Sequence, residues 1–269
     1  MSFPGKVRQE AFQNLHFITP CSNTQSCLKT LRMKKLLLAL VALVGIASVS
    51  VAQDHVTGNG KMVTQKRSVS SFDAVNVSGG MQVLVKQAAT ISVQVEADEN
   101  LQEYIETEVS GNKLTIRYRN KVSIHGGKVK VYITVPSLNG ASISGSGSMT
   151  SESEIPSSGE FKAAISGSGN IRMQTGARNV EARISGSGNI ELGGNANDVD
   201  VVISGSGSFK GYNLKSKDVS VTISGSGNVE TNVDGPLDAK ISGSGSVYYK
   251  GNAAISLKSS GSGKVKRAE

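Results

Sequence analysis

The stretch Val180–Ile190, VEARISGSGNI, contains the phrase that decides the fold. Its central part, ISGSG, occurs six times in the chain, and a seventh, degenerate copy reads SSGSG. The copies begin at Ile143, Ile165, Ile184, Ile203, Ile223, Ile241 and Ser259. Successive copies lie 22, 19, 19, 20, 18 and 18 residues apart. A period near 20 residues is typical of a solenoid, in which each repeat forms one coil and packs its apolar face against neighbouring coils.

Apolar and polar residues alternate on the N-terminal side of each phrase. Val180, Ala182 and Ile184 are apolar, and the residues between them, Glu181 and Arg183, are charged. Strict alternation predicts a strand with one buried face. Continued through the phrase, it places the glycines inward and the serines outward. Six residues after the phrase begins, an apolar residue returns to the inward side: Met149, Ile171, Ile190, Phe209, Val229, Val247 and Val265.

Each repeat therefore predicts a strand, a glycine-lined bend, a short strand and a polar turn, for example Gly193–Asn195 or Asp234–Pro236. Glycine inside a strand usually marks a bend or a close backbone approach, so its recurrence predicts a corner of the solenoid. The density of Gly, Ser and β-branched residues opposes helix formation. We predict an all-β parallel β-helix with about 18–22 residues per coil, in which seven coils about 4.8 Å apart span roughly 30 Å.

The segment before residue 54 has the features of a targeting signal. Met33-Lys34-Lys35 is followed by the apolar run Leu36–Ile46 and by Ser50-Val51-Ala52, the three parts of a signal peptide. We predict a signal peptide at residues 33–52 and a disordered, over-long gene start at residues 1–32. The apolar run is shorter than the roughly 20 residues of a membrane span, so an anchor helix is the less favoured alternative. The expected location is the periplasm, the outer-membrane surface or the exterior.

Removal of this leader changes the charge and the cysteine content. The whole chain has 29 basic and 21 acidic residues, a net charge of +8. Residues 1–52 hold six of the basic residues and one acidic residue, which leaves 23 against 20, a net charge of +3. This small excess gives no reason to expect a nucleic-acid partner. Both cysteines, Cys21 and Cys27, precede Met33, so the predicted mature chain has no disulfide.

Residues 54–138 lack the phrase but contain alternating segments typical of strands, such as Val129–Val135. Asp98-Glu99-Asn100 predicts the start of one short helix with Leu101, Ile105 and Val109 on one face. Terminal repeats of solenoids are often irregular because they close the stack. We therefore predict that residues 54–138 form irregular N-terminal coils and a cap, in one continuous body with the repeat β-helix of residues 139–265.

The sequence gives little support for an enzyme. Polysaccharide lyases with a parallel β-helix need clustered carboxylates and a base, whereas acidic residues are scattered here. Asp198 and Asp200 share an outward strand face beside Glu181, a pattern that is ordinary for a solvated surface. His55 and His125 are far apart in sequence and predict no catalytic or metal cluster. We predict no enzyme activity, cofactor or metal; a carbohydrate-active enzyme of the polysaccharide-lyase type is the alternative.

The repeated serines are the main candidate for function. Residues at equal positions in stacked coils should form ladders, which together make an uncharged, hydroxyl-rich strip. A structural interpretation is that small polar residues suit a tight, exposed bend and that hydrogen bonds between coils connect the ladders. The functional interpretation is a surface that binds a glycan or a cell-surface protein. The candidate binding residues are Ser185, Ser187, Asn189, Ser204, Ser206, Ser224, Ser226 and Asn228.

Three further segments accompany the repeated ISGSGN and ISGSGS phrases: FDAVNVSGGMQVLV from Phe72, VEADENLQEYIETEVSGNKLTIRY from Val95 and VYITVPSL from Val131. Together they resemble the family of putative auto-transporter adhesins with a head GIN domain, over about residues 67–263. The resemblance implies an exported protein of Gram-negative bacteria with a right-handed parallel β-helix. It implies no catalytic residues for this chain.

Overall fold

Each ISGSG phrase lies at the corner between two strands of one coil. The computed structural model describes residues 54–268, which form 23 strands and one 3₁₀ helix, Glu99–Tyr104. In chain order the strands are β1 (Asp54–Thr57), β2 (Met62–Arg67), β3 (Ala74–Ser78), β4 (Gln82–Gln87), β5 (Ser92–Asp98), β6 (Ile105–Ser110), β7 (Lys113–Tyr118), β8 (Val122–His125), β9 (Lys130–Val135), β10 (Gly140–Gly145), β11 (Ser148–Pro156), β12 (Glu160–Gly167), β13 (Asn170–Gly176), β14 (Asn179–Gly186), β15 (Asn189–Asn195), β16 (Asp198–Gly205), β17 (Ser208–Ser216), β18 (Asp218–Gly225), β19 (Asn228–Val233), β20 (Pro236–Gly243), β21 (Ser246–Lys250), β22 (Ala254–Gly261) and β23 (Lys264–Arg267).

The strands form two large sheets and one small pair. Sheet 1 has the order β22-β20-β18-β16-β14-β12-β10-β3-β7-β6, and sheet 2 has the order β2-β5-β9-β4-β11-β13-β15-β17-β19-β21-β23. Strands β1 and β8 pair separately. In the repeat region every neighbouring pair is parallel, and each coil contributes one strand to each sheet. The prediction of a parallel β-solenoid is therefore confirmed.

The first residues of the phrases are direct partners throughout sheet 1. Ile143 pairs with Ile165, and the same register continues through the later copies to Ser259. Val77 on β3 pairs with Ile143, so the segment VSGG at residues 77–80 is an earlier copy of the phrase. Residues 88–139 lie between β4, the last strand of that coil, and β10, the first strand of the next repeat, although the two coils are adjacent in space.

The core lies between the two sheets and follows the predicted alternation. Inward residues of sheet 1, such as Val201 and Ile203, are fully buried, as are those of sheet 2, such as Ile190 and Phe209. They belong to one continuous hydrophobic cluster. Because each coil adds only a thin apolar layer, the core grows by stacking identical positions on one another.

The N-terminal end departs from the parallel pattern. β6 is antiparallel to β7, and β5 is antiparallel to both β2 and β9. The buried Gln102 of the 3₁₀ helix connects β2 and β5, since its Nε2 donates to the carbonyl oxygens of Val63 (2.9 Å) and Val95 (3.0 Å). The helix predicted here is shorter than expected: it ends at Tyr104, and Ile105 and Val109 lie on β6. Residues four apart share a face on a helix and on a strand, so their spacing did not distinguish the two.

One predicted turn is also placed differently. Gly193–Asn195 belongs to β15, and the chain turns at Ala196 and Asn197 instead. Glycine suggested a turn, but the register of β13 and β15 keeps these residues paired. The second predicted turn is confirmed, because Asp234 and Gly235 form a bend before β20.

The predicted signal peptide and the segment 1–32 lie outside the described residues. In the part of the chain that the structure describes, no helix is long and apolar enough to cross a membrane.

Candidate functional site

The two glycines of each phrase make the corner that carries the serines. Gly186, Gly205 and Gly225 have φ between +120° and +124°, a conformation that side chains with a Cβ rarely adopt. A Cβ on Gly205 would also lie 2.5 Å from the carbonyl oxygen of Gly186 in the preceding coil. The second glycine cannot be replaced because of packing: a Cβ on Gly207 would lie 2.5 Å from Cγ2 of Ile184. The corner therefore permits close stacking only with glycine at both positions.

The first serine of each phrase forms a ladder along the edge of sheet 1. Ser185 pairs with Ser204, and Ser204 pairs with Ser224. The whole ladder comprises Ser144, Ser166, Ser185, Ser204, Ser224, Ser242 and Ser260. All of its members are exposed. The predicted stacking of these side chains is thus present in the fold, and their role in binding stays a prediction.

The second serine of each phrase lies in the corner itself. Its backbone N–H donates to the first glycine of the preceding coil, for example from Ser187 to Gly167 and from Ser206 to Gly186, each at 2.9 Å. The third ladder consists of the first residues of the sheet 2 strands: Ser148, Asn170, Asn189, Ser208, Asn228 and Ser246. We call the three ladders together the serine strip.

The hydroxyl groups in the middle of the serine strip do not help to hold the fold together. Within residues 54–268, the side chains of Ser185, Ser187, Ser204, Ser206, Ser224 and Ser226 make no hydrogen bond to the protein. The structural interpretation of the strip required bonds between coils, and the third ladder supplies one, from Nδ2 of Asn189 to Oδ1 of Asn170 at 2.9 Å. The first two ladders therefore present a regular array of hydroxyls to solvent.

Six carboxylates lie along a shallow groove on the outer face of sheet 1, which corrects the expectation of scattered acids. They are Glu160, Glu181, Asp198, Asp200, Asp218 and Asp238. The stacking brings them together because they occupy the same two outward positions in successive coils. Within residues 54–268 no group of three or more His, Cys, Asp or Glu side chains is placed to hold a metal ion.

Cations at one end of this groove neutralise part of its charge. Lys162 lies 3.3 Å from Glu160 and 3.6 Å from Glu181, and Arg183 also bonds to Glu181. The hydrogen bond to Glu160 and the charges of both carboxylates raise the pKa of Lys162. Such ion pairs at the surface are common and contribute little to stability.

His55 and His125 are closer in the fold than their sequence positions suggested. His55 is on β1 opposite Ser123, and His125 is on β8 opposite Thr57. They thus lie on paired strands at the N-terminal end, away from the repeats of the serine strip.

A group of side chains on the outer face of sheet 2 was not predicted from the sequence. We call it the tyrosine patch; it consists of Tyr212, Glu230, Asn232, Tyr248 and Lys250. Tyr212 lies in an irregular part of β17, where the pairing with β19 shifts between Gly211 and Lys215. One feature of the sequence indicated this irregularity: the spacing from Ile203 to Ile223 is 20 residues, two more than in the following coils.

The fold and its outer ladders define the class of this molecule: a two-sheet β-solenoid with a glycine corner and a polar repetitive surface. The chain belongs to the family described as putative auto-transporter adhesin, head GIN domain, whose model matches residues 71–253. No curated protein matches it.

Solved structures of similar fold include proteins from Bacteroides and Parabacteroides. A putative adhesin from Bacteroides fragilis is 25% identical, with a TM-score of 0.75 over 79% of this chain and 100% of that one. A putative lipid binding protein from Parabacteroides distasonis is 26% identical, with a TM-score of 0.65 over 80% of this chain and 100% of that one. A putative adhesin from the same organism is 27% identical, with a TM-score of 0.63 over 80% and 100%.

Proposed function

We propose that this chain is an exported, non-enzymatic β-solenoid that recognises a glycan at the cell envelope through its serine strip. The observation that carries this proposal is an array of six exposed hydroxyls that make no hydrogen bond within the described residues. They belong to Ser185, Ser187, Ser204, Ser206, Ser224 and Ser226. A hydroxyl both donates and accepts hydrogen bonds, as do the hydroxyl groups of sugars. Neighbouring coils repeat these groups at about 4.8 Å, which suits a repetitive partner.

Two further points support the proposal. The family model and the solved adhesins of similar fold agree with a binding role at a surface. The leader predicted at residues 33–52 agrees with export. An enzyme is not supported, because the carboxylates of the groove on sheet 1 form ion pairs or face solvent and make no metal-binding group within residues 54–268.

The test is attachment of the purified protein, residues 54–269, to bacterial and epithelial cell surfaces before and after treatment of those surfaces with glycosidases. A variant with the six serines of the first two ladders, Ser185 to Ser226, changed to Ala should keep its fold and lose attachment. A control with Ser220→Ala and Thr222→Ala, exposed on sheet 1 outside the strip, should attach like the parent. Attachment that survives glycosidase treatment but is lost after protease treatment would indicate a protein partner and contradict the proposal.

A further inference from the structure

The tyrosine patch is built by a local irregularity in β17. Phe209 occupies an inward position where the neighbouring coils have Ile190 and Val229. Its larger ring extends beneath the next inward residue, Gly211, because a Cβ on Gly211 would lie 2.5 Å from Cε1 of Phe209. Glycine leaves the space that the ring needs. The sequence Phe-Lys-Gly thus fills the core of this coil with one aromatic side chain.

The chain then continues with two consecutive outward residues. Tyr212 and Asn213 both face away from the core, and Leu214 returns to it and is buried. Tyr212–Leu214 have no partner on β19. Such a bulge re-aims the side chain at its centre and is often found next to functional sites. Here it turns Tyr212 across the outer face of sheet 2.

Polar side chains compensate for the lost pairing. Nδ2 of Asn232 donates to the carbonyl oxygen of Tyr212 at 3.3 Å, and Oγ of Ser216 donates to the carbonyl oxygen of Asn232 at 2.7 Å. Nζ of Lys250, on β21, lies over the ring of Tyr212, 4.6 Å from the ring centre, so that one face of the ring makes a cation–π contact. The bulge is therefore held in one defined conformation rather than left as a loose loop.

The remaining members of the patch surround this ring. Tyr248 and Glu230 are direct neighbours on adjacent strands, and both are partly buried. Partial burial raises the pKa of Tyr212, and the nearby Glu230 carboxylate and Tyr248 hydroxyl raise it further. The two aromatic side chains thus lie close together beside one carboxylate, one amide and one ammonium group. Two further lysines flank the patch, since Lys210 pairs with Glu230 and Lys266 pairs with Tyr248.

This combination matches the chemistry of a sugar ring. The C–H face of a pyranose packs against aromatic faces, while its hydroxyls bond to planar side chains such as carboxylates and amides. Asn228, Glu230 and Asn232 share the outward face of β19, and Asn228 belongs to the serine strip. The strip and the patch are consequently one continuous surface.

We propose that the tyrosine patch is the stacking site for a neutral oligosaccharide, whose next units bind along the serine strip. This inference rests on the proposed role in glycan recognition and adds the aromatic residues that dominate its affinity. Aromatic side chains in such sites carry most of the binding energy, whereas exposed polar contacts add specificity.

The experiment uses cellohexaose, maltohexaose and chitohexaose as probes and measures binding by calorimetry and by tyrosine fluorescence, since the chain has no Trp. At least one probe should bind the parent protein. Tyr212→Ala should weaken that binding about tenfold or more. Tyr212→Phe should retain most of it because the stacking face remains. The matched control is Tyr104→Ala, which removes a partly buried tyrosine that lies 5.5 Å from the Arg119 guanidinium, outside the patch.

Two outcomes would overturn this inference: no binding of any probe at millimolar concentration, or equal binding by a folded Tyr212→Ala variant. The variant with six serines changed to Ala separates the two proposals. If it binds the probe like the parent while Tyr212→Ala does not, the tyrosine patch is the site and the serine strip is not part of it. If both variants lose binding, both proposals hold.

Discussion

Sheet 1 and sheet 2 are built from the same repeats but keep their register differently. In the described part of sheet 1, every parallel pair from β3 to β22 runs without a register shift. In sheet 2, the pairing shifts at β11 and on both sides of β17. The longest coils, of 22 and 20 residues, are the ones that contain these two strands. The differences in coil length therefore lie in sheet 2 and in the turn that follows it, which has one to three residues.

The cause of this difference is the glycine corner, which comes immediately after each strand of sheet 1 in the chain. Each corner stacks backbone on backbone, with the carbonyl of Gly186 at 2.5 Å from where a Cβ on Gly205 would be. That contact leaves no room for a shift of one residue. The far end of sheet 2 leads into a variable turn and has no such constraint. Sheet 1 thus forms a rigid frame, and sheet 2 carries the side chains that differ from one coil to the next.

The largest expected effect comes from inserting one residue into each sheet. A serine inserted between Val202 and Ile203 should abolish folding or cost several kcal/mol, because it moves inward residues of β16 to the outer face. A serine inserted between Tyr212 and Asn213, which have no partner on β19, should cost less than about 2 kcal/mol. Urea unfolding followed by circular dichroism measures both. Equal losses would contradict the difference between the sheets.

A smaller effect is expected from single glycine substitutions. Gly205→Ala should destabilise the protein by about 2–4 kcal/mol, since φ is positive and the new Cβ meets a backbone carbonyl that cannot move. Gly193→Ala in β15 is the matched control. Its new Cβ would meet the flexible amide end of Gln174, so the change should stay within about 1 kcal/mol. The midpoints of urea unfolding should rank the two variants in this order, and the reverse order would show that the corner is not the rigid element.

These features also explain how far the sequence could predict the structure. The identical phrases predicted the coils, the inward column from Ile143 to Ile241 and the outward serines, because every copy repeats the same alternation. Irregular coils were predicted for residues 54–138, but the copy of the phrase at Val77 was not recognised, since it reads VSGGM and lies 66 residues before Ile143. The pairing of β3 with β10 and of β4 with β11 reveals it.

The candidate site was predictable only where it repeats. Because the phrases are identical, they predicted which residues pair between coils. That pairing in turn predicted the serine strip. The tyrosine patch depends on the volume of Phe209 and on the absence of a side chain at Gly211, which alternation alone does not describe. The acidic groove was predicted only in part: Asp198 and Asp200 were placed beside Glu181, whereas Glu160, Asp218 and Asp238 join them only after the coils are stacked.

Within the serine strip, the third ladder should contribute more to stability than the first. Asn189→Ala removes the hydrogen bond to Asn170 and should cost about 0.5–1 kcal/mol. Ser185→Ala removes a hydroxyl without a protein partner in the described structure and should change stability by less than about 0.5 kcal/mol. Thermal unfolding of the two variants at one pH compares them. A larger loss for Ser185→Ala would mean that the first ladder is structural, which would weaken its assignment as a binding surface.

The smallest effect is expected from removing divalent cations. Asp198, Asp200 and Asp218 lie along one groove of sheet 1, and a bound calcium ion there would stabilise the folded state in proportion to its occupancy. Calcium prefers six to eight oxygen ligands, whereas these carboxylates are spread along an open strand face, one coil apart. We therefore expect the midpoint of thermal unfolding to change by less than about 1 °C between millimolar EDTA and millimolar calcium, because an ion that does not bind cannot shift the equilibrium. The variant Asp200→Asn is the control. A calcium-dependent rise in the parent that is absent from Asp200→Asn would show that sheet 1 has a metal site as well as a structural role.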